Sequence, residues 1–324
     1  MPKVVLTEPM HPCARETLSA QPGVEVVELA AGTPVDAIHA ACRDADAIGV
    51  RIVPLPATAI AGAARLRVVA KHGVGTDNID VEACTARGIP VAITANANTI
   101  SVVEQTLMMM LALVKKAIPL DRATRAGEFH IRSRLSGNDL SGRRALVIGT
   151  GRIGAALVPV LRALGLQVMG WDAALTRARA EAIGCEFVGD FRAALPRTDV
   201  LTLHVPLTAE TRGLIGRLEL AALPAHAIII NCARGGIVDE LALADALRER
   251  RIAGAGTDVF EVEPPPTDHP FFALDSMILA PHAGANTAEA LERMARATAE
   301  NILAALDGSL GPETLVNPSV LASA

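Results

Sequence analysis

The chain has 324 residues, too many for one small core and enough for two domains of roughly 100–200 residues each. Apolar residues make up 51% and charged residues 20%, the balance of an ordinary globular protein. A net charge of −5 with no long Lys/Arg run and no aromatic–basic interleaving argues against nucleic acid as a partner, and the longest apolar run, around 107–114, falls far short of the ~18–20 residues needed to span a bilayer.

Short β-branched runs alternate with alanine-rich helical stretches almost throughout, which predicts an α/β fold with parallel sheets. Before residue 100 the predicted strands are 4–7, 24–29, 47–50, 66–70 and 91–94; after residue 140 they are 145–149, 167–172, 186–188, 200–205, 227–231, 253–258 and 277–280. Between the two sets, Ser101 to Glu104 has the form of a capping box opening a long apolar helix to about Lys116. A second helix start at 286–289 predicts a helix to about Leu306, ended by Gly308. The expected architecture is two Rossmann-like or flavodoxin-like domains with parallel sheets, joined by two hinge helices. Residues 1–99 with 288–324 form one domain, and residues 100–287 the other. Aromatics are only 2% of the chain, so aliphatic side chains must fill the cores. Five cysteines, Cys13, Cys42, Cys84, Cys185 and Cys232, make no C-x-x-C pair, and the start of the chain has no signal-peptide pattern; a reduced, cytoplasmic setting is expected.

The strongest local motif is Gly149-Thr-Gly151-Arg152-Ile153-Gly154, between an apolar strand and a helix, with Asp172 18 residues after Gly154 at the end of the next strand. That is the βαβ context a dinucleotide fingerprint requires. Gly149 permits the tight turn, Gly151 lets backbone approach a pyrophosphate, and Gly154 lets helix and strand pack closely. The helix N-terminus offers N–H groups to phosphates. Asp172 would accept hydrogen bonds from the adenosine ribose and repel a 2′-phosphate, so the expected cofactor is NAD rather than NADP. Pro159 sits inside the predicted fingerprint helix, where a bend is expected.

Three polar segments follow, each directly after a predicted strand: Asn231 to Glu240 with Arg234, Asp258 to Pro264 with Glu263, and Pro281 to Ala285 with His282 and Gly284. In an open α/β sheet the carboxyl edge is where ligands bind. Arg234 can hold a carboxylate and stabilise charge on a carbonyl oxygen. His282 can give a proton to that oxygen and take it back. A carboxylate beside the imidazole, Glu263, orients the ring and favours its charged form. The eight histidines are dispersed and lack H-E-x-x-H or short His/Cys spacing, so no metal is expected.

With these residues in place the chain resembles the D-isomer-specific 2-hydroxyacid dehydrogenase family over almost its whole length. The resemblance rests on residues 71–80 (Lys71-His-Gly-Val-Gly-Thr-Asp-Asn-Ile-Asp80), the fingerprint, and the Arg234, Glu263 and His282 segments with their 29- and 19-residue gaps. It implies hydride transfer between NAD and C2 of a small 2-hydroxy or 2-keto acid, catalytic roles for those three side chains, a cleft between two domains, and a homodimer formed through the cofactor domain. It further implies that the Val74 and Gly75 amides bind the substrate carboxylate, that Asp258 contacts the nicotinamide amide, and that Val205, Cys232 and Ala233 line the cofactor pocket.

Within the family the 3-phosphoglycerate dehydrogenase branch looks nearest, with basic residues at positions matching Arg51 and Lys71, where they serve the substrate phosphate. Lysine at 71 departs from the arginine often found there and cannot form the same bidentate contact. The alternative for both is a solvated basic rim, which leaves glyoxylate, hydroxypyruvate or lactate-type substrates open. A reading of another class, an NAD-sensing corepressor that keeps the fold and acts by recruiting partners, is disfavoured by the lack of extended tails.

Overall fold

The computed structural model describes residues 1–323; residue 324, the last of the domain expected from residues 1–99 with 288–324, lies outside them. The chain divides into two compact units, Met1–Asn98 with the chain from Asn286 onward, and Thr99–Ala285.

The first unit is built on a five-stranded sheet of β1 (Lys3–Leu6), β2 (Glu25–Glu28), β3 (Ala47–Val50), β4 (Val68–Lys71) and β5 (Val91–Ile93), ordered β2-β1-β3-β4-β5 and parallel throughout. This is the flavodoxin-like winding. Strand β1 shows why its residues read as a continuous apolar run: Val4 and Leu6 enter one core and Val5 the other, so both faces are covered. The core on the Val4 face is closed by the helix Ala288–Asp307, through Ala295, Ala299 and Ile302. Thr287 caps that helix by accepting from the Ala290 amide at 3.1 Å, and Gly308, with φ +83°, ends it.

The second unit holds seven parallel strands: β6 (Arg144–Ile148), β7 (Gln167–Trp171), β8 (Glu186–Phe187), β9 (Val200–Leu203), β10 (Ile228–Asn231), β11 (Gly254–Thr257) and β12 (Met277–Leu279). Their order is β12-β11-β10-β9-β6-β7-β8, the Rossmann winding with its switch point between β6 and β9. Leu146 and Ile148 of β6 point into one core and Ala145 and Val147 into the other. The helix Thr99–Val114 covers the second of these with Val103, Met109, Met110 and Leu113.

All twelve predicted strands are present. The predicted start of the apolar helix is not: the helix begins at Thr99, which puts Ser101 inside the first turn rather than at the cap. The turn after β5, closed by the Ala97 amide on the Thr94 carbonyl, delivers the chain into the helix two residues early. The fingerprint helix, Arg152–Ala163, runs through Pro159.

Candidate active site

The fingerprint turn leaves β6 at Gly149, whose φ is +91°, and a Cβ there would stand 2.6 Å from the carbonyl of His204 at the end of β9. Only glycine meets both demands. A Cβ on Gly154 would lie 1.9 Å from the Gly149 carbonyl oxygen, so the helix packs directly on the turn. Gly151 differs: a Cβ there would meet no protein atom within 4 Å. Nothing in the chain itself demands glycine at 151, and the open space in front of it suits close approach by a ligand phosphate. No side chain caps the helix after Gly151, so the amides of its first turn, including Arg152 and Ile153, remain available to an anion. Asp172, directly after β7, accepts from the Thr150 amide at 2.9 Å and from the Ala174 amide at 3.0 Å, which ties the end of β7 to the fingerprint turn. Lone pairs remain on that carboxylate for a ribose. These residues fit a dinucleotide.

On the other side of the switch point the polar segments meet. Asn231 ends β10; its Oδ1 accepts from the Ala233 amide at 3.0 Å and its Nδ2 donates to the Arg234 carbonyl at 2.9 Å. The turn carrying Arg234 is thus clamped by one side chain. Arg234 is half-buried, with Nη1 donating to the Ala233 carbonyl at 2.7 Å. Glu263 Oε2 lies 2.7 Å from His282 Nδ1, and Glu263 Oε1 accepts from the Phe260 amide at 3.0 Å. Burial pushes the Glu263 carboxyl upward, but the imidazole, the Phe260 amide and the Arg234 charge outweigh it and hold the group below the ordinary glutamate value. With Nδ1 committed to Glu263, Nε2 is the ring nitrogen left for chemistry.

His282 has φ +53°, in the left-handed region. Asp258, buried after β11, holds it there. The Asp258 carbonyl accepts from the His282 amide at 2.7 Å, and its carboxylate accepts from the Ala283 and Gly284 amides, each at 2.7 Å. Burial raises the Asp258 carboxyl, with these two amides and His282 opposing. A Cβ on Gly284 would sit 2.8 Å from Asp258 Oδ2, so the clamp closes only around glycine. The resemblance assigns Asp258 to the nicotinamide amide; each of its oxygens accepts one amide of the His282 turn and keeps a further lone pair.

Of the expected pocket lining, Val205 follows β9 and is buried, and Ala233 is half-buried in the Arg234 turn. Cys232 turns its thiol inward, 3.9 Å from the Met109 sulfur, and burial pushes that thiol up to about 12.

In the first unit, Gly73 exchanges hydrogen bonds with Thr94: the Gly73 amide reaches Thr94 Oγ1 at 3.0 Å and the Thr94 amide reaches the Gly73 carbonyl at 2.9 Å. Among the described residues no partner faces the Val74 or Gly75 amide. Arg51 and Lys71 are not equivalent. The Glu8 carboxylate accepts from the amides of Arg51, Ile52 and Val53 at 3.1, 2.9 and 3.2 Å, and Arg51 Nη1 donates to the Pro9 carbonyl at 3.0 Å, leaving a half-buried guanidinium. Lys71 is only 8% exposed, which removes it from any solvated rim. Its ammonium donates to the Arg51 carbonyl and to Asn78 Oδ1. His72, which the sequence leaves without a role, is buried beside it, and burial, with Arg51 next, lowers its pKa to about 4.

Among the described residues no cluster of three or more His, Cys, Asp or Glu side chains is placed to hold a metal ion, and no helix is long and apolar enough to cross a membrane. Glu240, His269 and Gly235, which brace the Glu263 loop, carry no signal in the sequence beyond their place in or near the polar segments.

Strand order, fingerprint turn and Asp172 define a dinucleotide-binding unit with acid–base groups at its carboxyl edge. Residues 107–284 match the NAD binding domain of the D-isomer specific 2-hydroxyacid dehydrogenases. The chain belongs to that family, and its second unit is the NAD-binding domain. It is 40% identical to a D-3-phosphoglycerate dehydrogenase of Methanocaldococcus jannaschii, over 99% of this chain and 60% of the relative. It is 36% identical to a glyoxylate reductase of Aeropyrum pernix, over 99% of this chain and 97% of the relative. Among solved structures, D-lactate dehydrogenase from Aquifex aeolicus, complexed with NAD and lactic acid, superposes with a TM-score of 0.85 at 27% identity, covering 97% of this chain and 99% of that one. The chain spans about three fifths of the length of the phosphoglycerate dehydrogenases it matches.

Proposed function

We propose that this chain is an NAD-dependent dehydrogenase acting at C2 of a small D-2-hydroxy or 2-keto acid. The observation that carries the reading is the His282–Glu263 pair, 2.7 Å apart, in the same unit as Arg234 and the fingerprint turn. Bound NAD supplies or accepts the hydride. Arg234 holds the substrate and stabilises negative charge on the C2 oxygen. His282, fixed through Nδ1, delivers a proton from Nε2 to that oxygen in reduction and removes it in oxidation. Glu263, kept ionised, steadies the imidazolium. The Val74 and Gly75 amides take the substrate carboxylate. Val205 and the backbone at Cys232 and Ala233 border the cofactor.

For the substrate, the family relatives offer phosphorylated and unphosphorylated acids. We assign Arg51, and not Lys71, to direct contact with a distal anionic group, because the Lys71 ammonium is buried and spent on the loop that carries Arg51. One arginine can serve a phosphate, and 3-phosphoglycerate is the substrate we favour. As partner we propose a second copy of the chain: Met108, Leu111, Ile118 and Phe129 of the NAD unit are 37–61% exposed, apolar side chains that a homodimer would cover. Five free cysteines, all buried, suit a cytoplasmic location.

The test follows NADH absorbance with 3-phosphoglycerate, phosphohydroxypyruvate, hydroxypyruvate, glyoxylate and pyruvate, with NADPH alongside. A preference for the phosphorylated pair that Arg51→Ala abolishes supports the assignment. Preference for an unphosphorylated acid removes Arg51 from it and leaves the dehydrogenase reading standing. NADH binding with no turnover of any acid overturns the enzyme in favour of an NAD-sensing protein.

A further inference from the structure

Behind the His282–Glu263 pair stands a second imidazole–carboxylate pair. Glu240 begins the helix Glu240–Arg248, and its Oε2 lies 2.9 Å from His269 Nε2. His269 is 8% exposed and its Nδ1 accepts from the Phe271 amide at 3.4 Å, so the proton on Nε2 faces Glu240. The ring meets Phe260 at 5.4 Å and Phe271 at 4.7 Å, both edge-on. The other oxygen of Glu240, Oε1, accepts from the Glu261 amide at 2.8 Å.

The Phe260–Glu261 peptide is therefore fixed from several sides. Glu240 holds its N–H. A Cβ on Gly235, the residue after Arg234, would stand 1.9 Å from its carbonyl oxygen, so the Arg234 turn presses on it directly. The preceding amide, Phe260 N–H, donates to Glu263 Oε1, which sets the carboxylate that faces His282. We propose that Glu240 and His269 are positioning residues that, through this peptide, align Glu263 with His282 and keep both in register with Arg234. The proposal rests on the dehydrogenase reading for its kinetic test only.

The experiment compares wild type, Glu240→Ala, Glu240→Gln and His269→Phe in kcat, KM and, by fluorescence titration, NADH Kd. Glutamine keeps an acceptor for the Glu261 amide; phenylalanine keeps the ring packing and deletes the donor to Glu240. A displaced catalytic pair costs between about tenfold and 100-fold. Glu240→Ala is expected to lose that much in kcat with NADH Kd unchanged, Glu240→Gln, which keeps the acceptor for the Glu261 amide but sets its NH2 against the His269 N–H, to recover part of it, and His269→Phe to lose several-fold. Wild-type kcat in Glu240→Ala, or a loss matched by an equal loss of NADH affinity, overturns the proposal. If Glu240→Ala does not fold, the His269→Phe result decides by the same criteria. If the wild type turns over no acid, the functional reading fails separately, and NMR of the imidazole nitrogens decides: the His282 signals shift in His269→Phe while those of His226, which precedes β10 and meets Asp199 before β9 at the amino edge of the sheet, hold still. Unmoved His282 signals overturn it.

Discussion

His282 carries a backbone conformation that a non-glycine residue adopts at a cost of about 1–2 kcal/mol. Asp258 supplies the compensation by accepting from the Ala283 and Gly284 amides with its carboxylate and from the His282 amide with its carbonyl. Asp258→Ala should therefore release the turn. The expected result is a drop in kcat/KM with a loss of stability of about 2–4 kcal/mol in chemical denaturation, since one buried and one half-buried amide lose their acceptor. Full activity in that variant would disconnect Asp258 from His282. His282→Ala should cost about 10²–10⁴-fold in kcat with NADH affinity retained, read by single-turnover kinetics and fluorescence. Arg234, Glu263 and His282 are legible in the sequence because each follows an apolar run that must end at the carboxyl edge of a parallel sheet. The left-handed φ of His282, the Asn231 clamp and the inward turn of Cys232 are not legible, because they depend on how crossovers from separate strands bring loop backbones within 3 Å of one another. Lys71 teaches the same lesson. A lysine near an anion loop reads as a ligand, and only the placement of the Arg51 carbonyl and Asn78 turns it into a brace.

At the scale of one element, the fingerprint turn separates what the fold needs from what a ligand needs. Gly149 and Gly154 are forced by backbone atoms within 3 Å, whereas Gly151 faces open space. Gly154→Ala should destabilise the unit, with a lowered Tm by differential scanning fluorimetry. Gly151→Ala should leave Tm within a degree or two and weaken NADH binding by tenfold or more, since one methyl intrudes where a pyrophosphate must approach. If Gly151→Ala binds NADH as wild type does, the phosphates do not lie against residue 151. The role of each glycine is written in the motif; which of them the protein itself requires is visible only once the His204 carbonyl and the Gly149 oxygen are placed. Helix ends show a similar limit. Thr287 caps one residue from the predicted start, and the Thr99 helix begins two residues before it, because hydroxyl and amide side chains crowd both segments and the incoming turn decides which of them caps.

For the whole molecule, two parallel sheets with right-handed crossovers are readable from the alternation of strand and helix, whereas the order of strands is not, since the same alternation winds as β2-β1-β3-β4-β5 in one unit and as β12-β11-β10-β9-β6-β7-β8 in the other. Acid stability is not readable either, since it depends on how far each imidazole is shielded from water: His72 is buried, and His204, partly exposed as a residue, has its Nδ1 out of reach of water. His204 in the NAD-binding unit and His72 in the other are both held near a pKa of about 4, in each case mainly by burial. An unfolded histidine titrates near ~6.5. The folded value is the lower one, so each group contributes stability that is complete above about pH 6.5 and is lost as pH falls toward 4. A depression of that size corresponds to about 3 kcal/mol per histidine at most. Asp258 opposes the trend, because its raised pKa makes the folded state the better proton binder in the carboxylate range. The depressed carboxylates, Glu263 and Asp199 among them, act in the same direction as the histidines but lower on the pH scale. The window from pH 7 to 5 therefore covers most of the contribution of these two imidazoles. Urea denaturation across it should show the wild type losing stability steeply, and His204→Gln and His72→Gln should each flatten the slope by about half. Equal slopes in all three proteins would mean that both rings are reached by water in solution and that the acid limit of this fold lies with its carboxylates.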